Sequence, residues 1–562
     1  MSDVSQPNEK KQGIYNRRRF FQVAALSTGS ALLVACGGSD PAPLTKVTPV
    51  ATIPAAQATA TATASIGKTF FPSGDPNIPD AYTVPPPLTQ SVEYVPGRGN
   101  KVKFFCLSYK TPPTPLNQNK YWQELNKRLN IQWEANLVNF DTYNEKATAI
   151  LASGDVPDLF YLSVTDNPAL LTPVQQGAFT DLTPFLTGDE LKKYPNLAKF
   201  GEITWKNSRL NGKIYGVPRP RPIPGSVLHI RRDWMKKLGI KDPTNKDEFL
   251  AMLKEFMKAK PDGAQCWGIG GLAGTTNFIL QLFGTPNIWR LESSGKLTYY
   301  YETDEFKAGI DYLRTLYKEG VIHPDEIPGR GNSATIDKLN GGKIAAYQDG
   351  WGGFWNKRLA LKRIKPESDL SMLIPFNADG SHKANHWTGP GFYGMAAIPA
   401  QVGGDAERVH ELLRILDYFC APTFSIEGDF IAKGLDGWDN QKDPKTGVKK
   451  LTPTGDKEIA ELNYIANPPY VYYFAEDPEF GPAFQKFDRE LQKIGIADPT
   501  TGKVSQAQTK NNAKLNQIYN DRFYRIVKGA LPLSAVDDLA NEWRKNGGED
   551  IRKEFMDQLQ KQ

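Results

Sequence analysis

The stretch from Lys101 to Leu162 constrains the fold more tightly than any other. Val102-Lys103-Phe104-Phe105-Cys106-Leu107 is a mostly apolar run of strand length, and Tyr121 to Leu129 carries apolar residues at helical spacing. Ile131-Gln132-Trp133-Glu134-Ala135-Asn136-Leu137 alternates apolar and polar residues, which predicts a strand with one buried face. Thr142 to Ala152 returns to helical spacing, with Tyr143, Ala147, Ile150 and Leu151 on one side and Gly154 as its stop. Asp158-Leu159-Phe160-Tyr161-Leu162 then reads as a buried strand. Strand, helix, strand, helix, strand predicts an α/β fold built on a parallel sheet, with ligands outside the carboxyl ends of the strands. A chain of 562 residues, 40% of them hydrophobic, is too long for one compact domain and predicts two lobes.

The amino-terminal region reads as delivery. Arg17-Arg18-Arg19-Phe20-Phe21 precedes an apolar run from Val23 to Val34, a basic n-region and an h-region too short to span a bilayer, which takes about 20 apolar residues. Leu33-Val34-Ala35-Cys36 resembles a bacterial lipobox, which implies cleavage before Cys36 and lipidation of its thiol. Residues 1–35 are therefore expected to be a signal peptide. Asn16 to Gln22 resembles a twin-arginine export signal but departs from it at both ends, so general secretion stands as the alternative. The Ala/Thr/Pro-rich segment 36–99 is expected to be a disordered tether, reaching about 40 Å as a coil. After residue 35 the chain keeps 63 Lys/Arg against 60 Asp/Glu, a balance that argues against nucleic-acid binding. Cys106, Cys266 and Cys420 are expected as core thiols with at most one bridge.

Further along, several segments resemble the extracellular solute-binding proteins of carbohydrate ABC transporters. Ala152-Ser153-Gly154-Asp155-Val156-Pro157-Asp158-Leu159-Phe160 is similar to that family's helix-to-strand junction. Gln176 to Pro184 is similar to its Gly-x-x-x-Asp-Leu-Thr-Pro segment. Gly212-Lys213-Ile214-Tyr215-Gly216-Val217-Pro218-Arg219, followed by Leu228 to Trp234, resembles its crossover from the first lobe to the second. The resemblance implies a two-lobed periplasmic-binding-protein-like fold of type II, hinged on crossover strands. It also implies a lipid-anchored, extracytoplasmic monomer that captures a carbohydrate, an oligosaccharide by preference, and delivers it to a permease, with no catalysis, cofactor or metal. The expected boundaries are 100–218 and 389–435 for the first lobe, and 219–388 and 436–562 for the second. A secreted carbohydrate-active hydrolase or lyase, or a receptor for a two-component system, is the alternative.

The residues expected at the ligand follow from chemistry and from this resemblance together. A sugar presents an apolar face to an aromatic ring and hydroxyls to carboxylates, amides or arginines. Asp349, Trp351 and Trp355, in a glycine-rich loop, supply both kinds of group, although Trp355 reads equally well as core. Arg219 and Arg221 stand on a stiff Pro-containing segment and meet either a ligand or acids across the lobes. Trp387 and Tyr393 flank the return crossover, and Trp438 lies in a further polar and aromatic cluster. Asp155 either contacts ligand hydroxyls or caps its own turn. The run Trp267 to Thr276 lacks the lysine of a phosphate loop, and Asp436, Asp439 and Asp443 lack the spacing of an EF-hand.

Overall fold

The computed structural model describes residues 69–164, 168–272, 274–324, 333–444, 447–459 and 461–561. The expected signal peptide, the expected export motif and Cys36, the expected lipidation site, lie outside the described residues. Two short antiparallel strands come first, β1 (Phe70–Phe71) and β2 (Ala81–Tyr82). The first lobe opens with β3 (Lys101–Ser108), α1 (Lys120–Leu129), β4 (Gln132–Asn139), α2 (Phe140–Ser153) and β5 (Leu159–Leu162). This is the alternation read from the sequence. Its punctuation is local: Asn119 Oδ1 accepts the Trp122 amide at 2.9 Å to start α1, and Gly154, at φ +76°, ends α2.

From β6 (Gly216–Pro220) the chain passes to the second lobe through β7 (Ser226–Arg231), α3 (Lys246–Ala259), β8 (Trp267–Ile269), α4 (Asp304–Lys318), β9 (Ile344–Gly350), α5 (Phe354–Ile364) and β10 (Leu370–Leu373). It returns by β11 (Phe392–Ala397) and α6 (Ala406–Phe419), and ends with α7 (Phe480–Lys493), α8 (Gln506–Val527), α9 (Ala535–Trp543) and α10 (Glu549–Leu559). The first sheet has the order β4-β3-β5-β11-β6, with β3 parallel to β4 and β5 and the returning β11 antiparallel to both neighbours. The second has the order β10-β7-β9-β8. Each sheet anchors its own core. One runs from Val102 through Phe105, Leu162, Met395 and Leu416, and the other from Leu228 through Phe256, Phe306 and Ala346 to Phe555. A third apolar layer, with Tyr347, Trp351, Tyr472 and Phe484, also packs at the second sheet. Cys106, Cys266 and Cys420 are buried free thiols.

Two expected boundaries shift. The tether was drawn to residue 99, but from Thr69 onward the chain lies on the folded body. The Tyr82 amide donates to Tyr472 O (2.9 Å) while Gln485 Nε2 donates to Phe71 O (3.0 Å), and Tyr94 Oη donates to Asp417 Oδ2 (2.6 Å). The Ala/Thr repeat dominates the composition of the segment, whereas Phe71, Ile78, Ala81, Val92 and Tyr94 downstream supply enough apolar surface to dock. Likewise the carboxyl-terminal part does not belong wholly to the second lobe. Ile459, Leu462, Tyr464, Ile465 and Ala466 pack in the first core, and the second-lobe assignment resumes only with Tyr472.

The hinge is consequently broader than a pair of strands. At its centre the Arg221 amide donates to Gly391 O at 3.0 Å and the Gly389 amide to Ile223 O at 2.8 Å. Beside these two strands run the stretch from Ala466 to Tyr472 and the stretch from Tyr82 to Val92, each with one end in each lobe.

Candidate functional site

The carboxyl ends of β3, β4 and β5 face the hinge, and the aromatic residues that follow them form an open platform. Tyr109 comes directly after β3 and is 51% exposed. Its ring stacks on Phe140, the first residue of α2, at 4.8 Å between centroids, and meets Tyr464 at 5.5 Å. Tyr393 closes the group, its hydroxyl 3.5 Å from that of Tyr109. A bulge in β11 aims Tyr393 there. The register of β11 against β6 shifts between Phe392 and Met395, and Gly394 holds φ +66°. A Cβ at Gly394 would fall 2.3 Å from Tyr161 Oη, so only glycine fits. Glu461 borders the platform, accepting from the Tyr109 amide at 2.6 Å and from Ser108 Oγ at 3.2 Å.

Arg221 joins this platform to the other lobe. Its guanidinium lies 5.1 Å from the Tyr393 ring centroid, and Nη1 donates to Tyr470 Oη at 3.2 Å. The second lobe arrives at Gly352, where an added Cβ would fall 2.3 Å from Arg221 Nη1. Next to it Asp349 and Lys357 form an ion pair, and Asp349 Oδ1 also accepts the Gly350 amide at 2.6 Å. Arg219 lies behind the platform, 2% exposed. It is 4.3 Å from the Tyr464 ring centroid, and its Nε donates to Asn463 O. Its Nη1 has no hydrogen-bond partner among the described residues. Burial pushes the Tyr470 hydroxyl up, but Arg219 and Arg221 together outweigh burial and hold its pKa below the ordinary tyrosine value.

Of the residues expected from sequence, the structure brings Arg221, Tyr393 and the Asp349 loop together, with Arg219 just behind. The tryptophans are a correction. Trp351 is 1% exposed, stacked on Phe484 at 4.0 Å, and its Nε1 donates to Tyr472 Oη at 3.0 Å. It is core, because the loop glycines let the backbone turn the ring inward against α7 rather than outward. Trp355 is half-buried, its ring centroid 4.3 Å from that of Phe474. Trp387 donates through Nε1 to Thr285 O at 2.8 Å and packs on the second-lobe core. Asp155 is exposed but precedes β5, so it stands at the amino end of that strand, opposite the platform. Trp438 is 41% exposed with the Lys120 ammonium 3.5 Å from its ring centroid, at the amino end of α1. Sequence reasoning missed Tyr109, Phe140, Tyr464 and Tyr470. The rule that ligands bind beyond the carboxyl ends of strands already pointed to Tyr109, whereas nothing local marks Tyr464 or Tyr470.

Two α/β lobes, joined by a hinge and meeting over an aromatic and cationic surface, define a solute-binding protein of the two-lobed kind. The model of the bacterial extracellular solute-binding protein family matches residues 114–401, and the chain belongs to that family. Among curated relatives, the polygalacturonan/rhamnogalacturonan-binding protein YtcQ of Bacillus subtilis (strain 168) is 26% identical over 483 residues, covering 83% of this chain and 93% of YtcQ. Lipoprotein LipO of the same strain is 25% identical over 79% of this chain and 89% of its own length. Among solved structures, the Streptococcus pneumoniae ABC-transporter substrate-binding protein FusA in complex with kestose superposes with a TM-score of 0.57 at 19% identity, covering 82% of this chain and 99% of FusA. No helix among the described residues is long and apolar enough to cross a membrane.

Proposed function

We propose that this chain captures a carbohydrate, an oligosaccharide by preference, outside the cytoplasm and delivers it to the permease of an ABC transporter. Membership of the solute-binding family supports binding without turnover, and the names of the relatives YtcQ and FusA both concern saccharides or their transport. The observation that carries the reading is the platform of Tyr109, Phe140 and Tyr393 at the hinge, with Arg221 and the Asp349 loop beside it. Aromatic faces take the C–H side of a sugar ring, while arginine, carboxylate and tyrosine hydroxyls take its hydroxyl groups. Trp438 extends the same chemistry on the first lobe. The protein works as a monomer, and contacts made to both lobes at once favour the closed state.

The lipobox around Cys36 would hold the protein at the outer face of the membrane, and the arginine-rich signal would export it. Incubation with a panel of oligosaccharides, followed by thermal melting and product analysis, tests the central claim. A raised melting temperature with the saccharide recovered intact is expected. Cleavage of any saccharide would replace this reading with that of an enzyme, and indifference to the whole panel would remove it.

A further inference from the structure

We infer that the saccharide bound at this hinge is acidic, its anionic group lying against Arg221 with Arg219 adding a second positive charge from behind the tyrosines. This rests on the carbohydrate reading above and deepens it. Neither arginine forms an ion pair among the described residues, although Arg219 is 2% exposed and Arg221 is half-buried. Burying an unpaired guanidinium is costly, and a chain that places two of them two residues apart compensates that cost when an anion enters. The groups facing them from every packed element are known. Tyr470 accepts from Arg221 Nη1, the rings of Tyr464 and Tyr393 lie under the two cations, and Asn463 O accepts from Arg219 Nε. None of these carries a full negative charge.

Of the carboxylates nearby, one is neutralised by a lysine and the other keeps its charge but forms no ion pair with either arginine among the described residues. Glu461 accepts from the Tyr109 amide and Ser108 Oγ, and Asp349 is neutralised by Lys357. The field at Tyr470 reports the same imbalance, since the two arginines outweigh burial there. A neutral sugar would satisfy hydrogen bonds but leave both cations uncompensated. A carboxylate or sulfate matches the planar donor fork of arginine. Arg219 keeps one buried nitrogen, Nη1, with no partner among the described residues, as a site prepared for such a group does.

Uronic acids and sulfated sugars are the two sources of the anion, and calorimetry on the purified full-length chain separates them. The probes are trigalacturonate against its fully methyl-esterified form, and a sulfated tetrasaccharide against its desulfated form. At least tenfold tighter binding of one acidic form than of its neutral counterpart is expected, with the advantage shrinking as salt is raised. Arg221→Gln is expected to abolish the difference, the acidic form losing more affinity than the neutral one, and Arg221→Lys to keep part of it. Equal binding of acidic and neutral forms in both pairs, or a preference that survives Arg221→Gln, overturns the inference. Should Arg221→Gln fail to fold, the paired probes on the unaltered chain still decide. Binding of neutral oligosaccharides alone would overturn the acidic assignment and leave the carbohydrate reading standing, whereas no saccharide binding at all would remove both.

Discussion

On the first-lobe side of the hinge, Tyr109, Phe140, Tyr393 and Tyr464 touch one another and leave Tyr109 half in solvent, with two arginines that no carboxylate pairs among the described residues. On the second-lobe side, Trp351, Tyr472 and Phe484 touch one another just as closely and are sealed. There the polar atoms close on themselves: Trp351 Nε1 donates to Tyr472 Oη, and Tyr472 Oη donates to Asp488 Oδ2 at 2.6 Å. Gln492 Nε2 donates to Asp488 Oδ1, also at 2.6 Å. Both regions are rich in aromatic rings. What distinguishes a surface awaiting a ligand from a core is therefore unspent hydrogen-bonding and charge, since a buried polar group without a partner costs free energy until something supplies one.

The largest expected effect tests whether the sealed cluster is purely structural. Trp351→Ala removes a fully buried ring stacked on Phe484 and strands Tyr472, so stability should fall by about 3–5 kcal/mol. Saccharide affinity, measured below the variant's melting temperature, should stay near that of the parent chain. A variant that melts normally but no longer binds would reverse the contrast between the two regions.

The same cluster carries a pH signature. Burial pushes the Asp488 carboxyl up to about 6, the hydrogen bonds from Tyr472 and Gln492 offsetting only part of it. A folded-state pKa above the unfolded one means the folded chain binds the extra proton. The associated stability is fully present below the unfolded value near 3.8 and is lost as the pH rises through 6. Asp488→Asn removes this dependence, which amounts to roughly 2 kcal/mol between pH 4 and 7. His386 opposes it, because burial lowers its pKa to about 4 and acidification from 6.5 to 4 then destabilises the fold. Denaturant titrations of the parent chain and Asp488→Asn across this range isolate the aspartate, since His386 is common to both. Curves that stay parallel at every pH would show that Asp488 titrates alike folded and unfolded.

Much of the fold was legible because its signals are local. The alternation from Lys101 to Leu162 and the stop of α2 at Gly154 each depend on a few neighbouring residues, and each was found where the spacing put it. The site was legible only in part. Arg221, Tyr393 and Asp349 stand at strand ends, where topology exposes side chains, and the structure places all three at the hinge. Trp351 was misread because an aromatic residue beside glycines looks the same in sequence whether its ring turns outward or inward. Only the packing partner, Phe484 in α7, decides between them, and it lies far along the chain. The tether boundary failed for a related reason: Tyr472 and Gln485, which hold residues 69–82 in place, are about 400 positions away.

A middle-sized effect is expected where the two regions meet. Gly352→Ala pushes a methyl group against the Arg221 head, the movable end of a flexible side chain, so the cost in stability should be under about 1 kcal/mol. Saccharide affinity should nevertheless fall roughly five- to tenfold, or about 1–1.4 kcal/mol, because Arg221 is displaced from Tyr393. Tyr109→Ala should give a similar loss, about 0.5–1.5 kcal/mol for one aromatic face, with little change in melting temperature because the ring is half exposed. If Gly352→Ala binds normally while Tyr109→Ala does not, the platform acts without the arginine and the two sides of the hinge are less coupled than their contacts suggest.

The smallest effect concerns Trp438, whose character lies between the two regions. Its ring is exposed like Tyr109 yet already covered by the Lys120 ammonium at 3.5 Å, so part of its face is spent within the chain. Lys120→Ala should lower stability by no more than about 0.5–1 kcal/mol, the range for an exposed cation–π pair. If the binding surface extends along the first lobe, freeing the ring should leave short saccharides unaffected and change the affinity of longer ones by about twofold, or 0.4 kcal/mol. Identical affinities for short and long saccharides in both the parent and Lys120→Ala would confine the ligand to the hinge. The unspent charge of Arg221, rather than the number of exposed rings, would then mark the whole extent of the site.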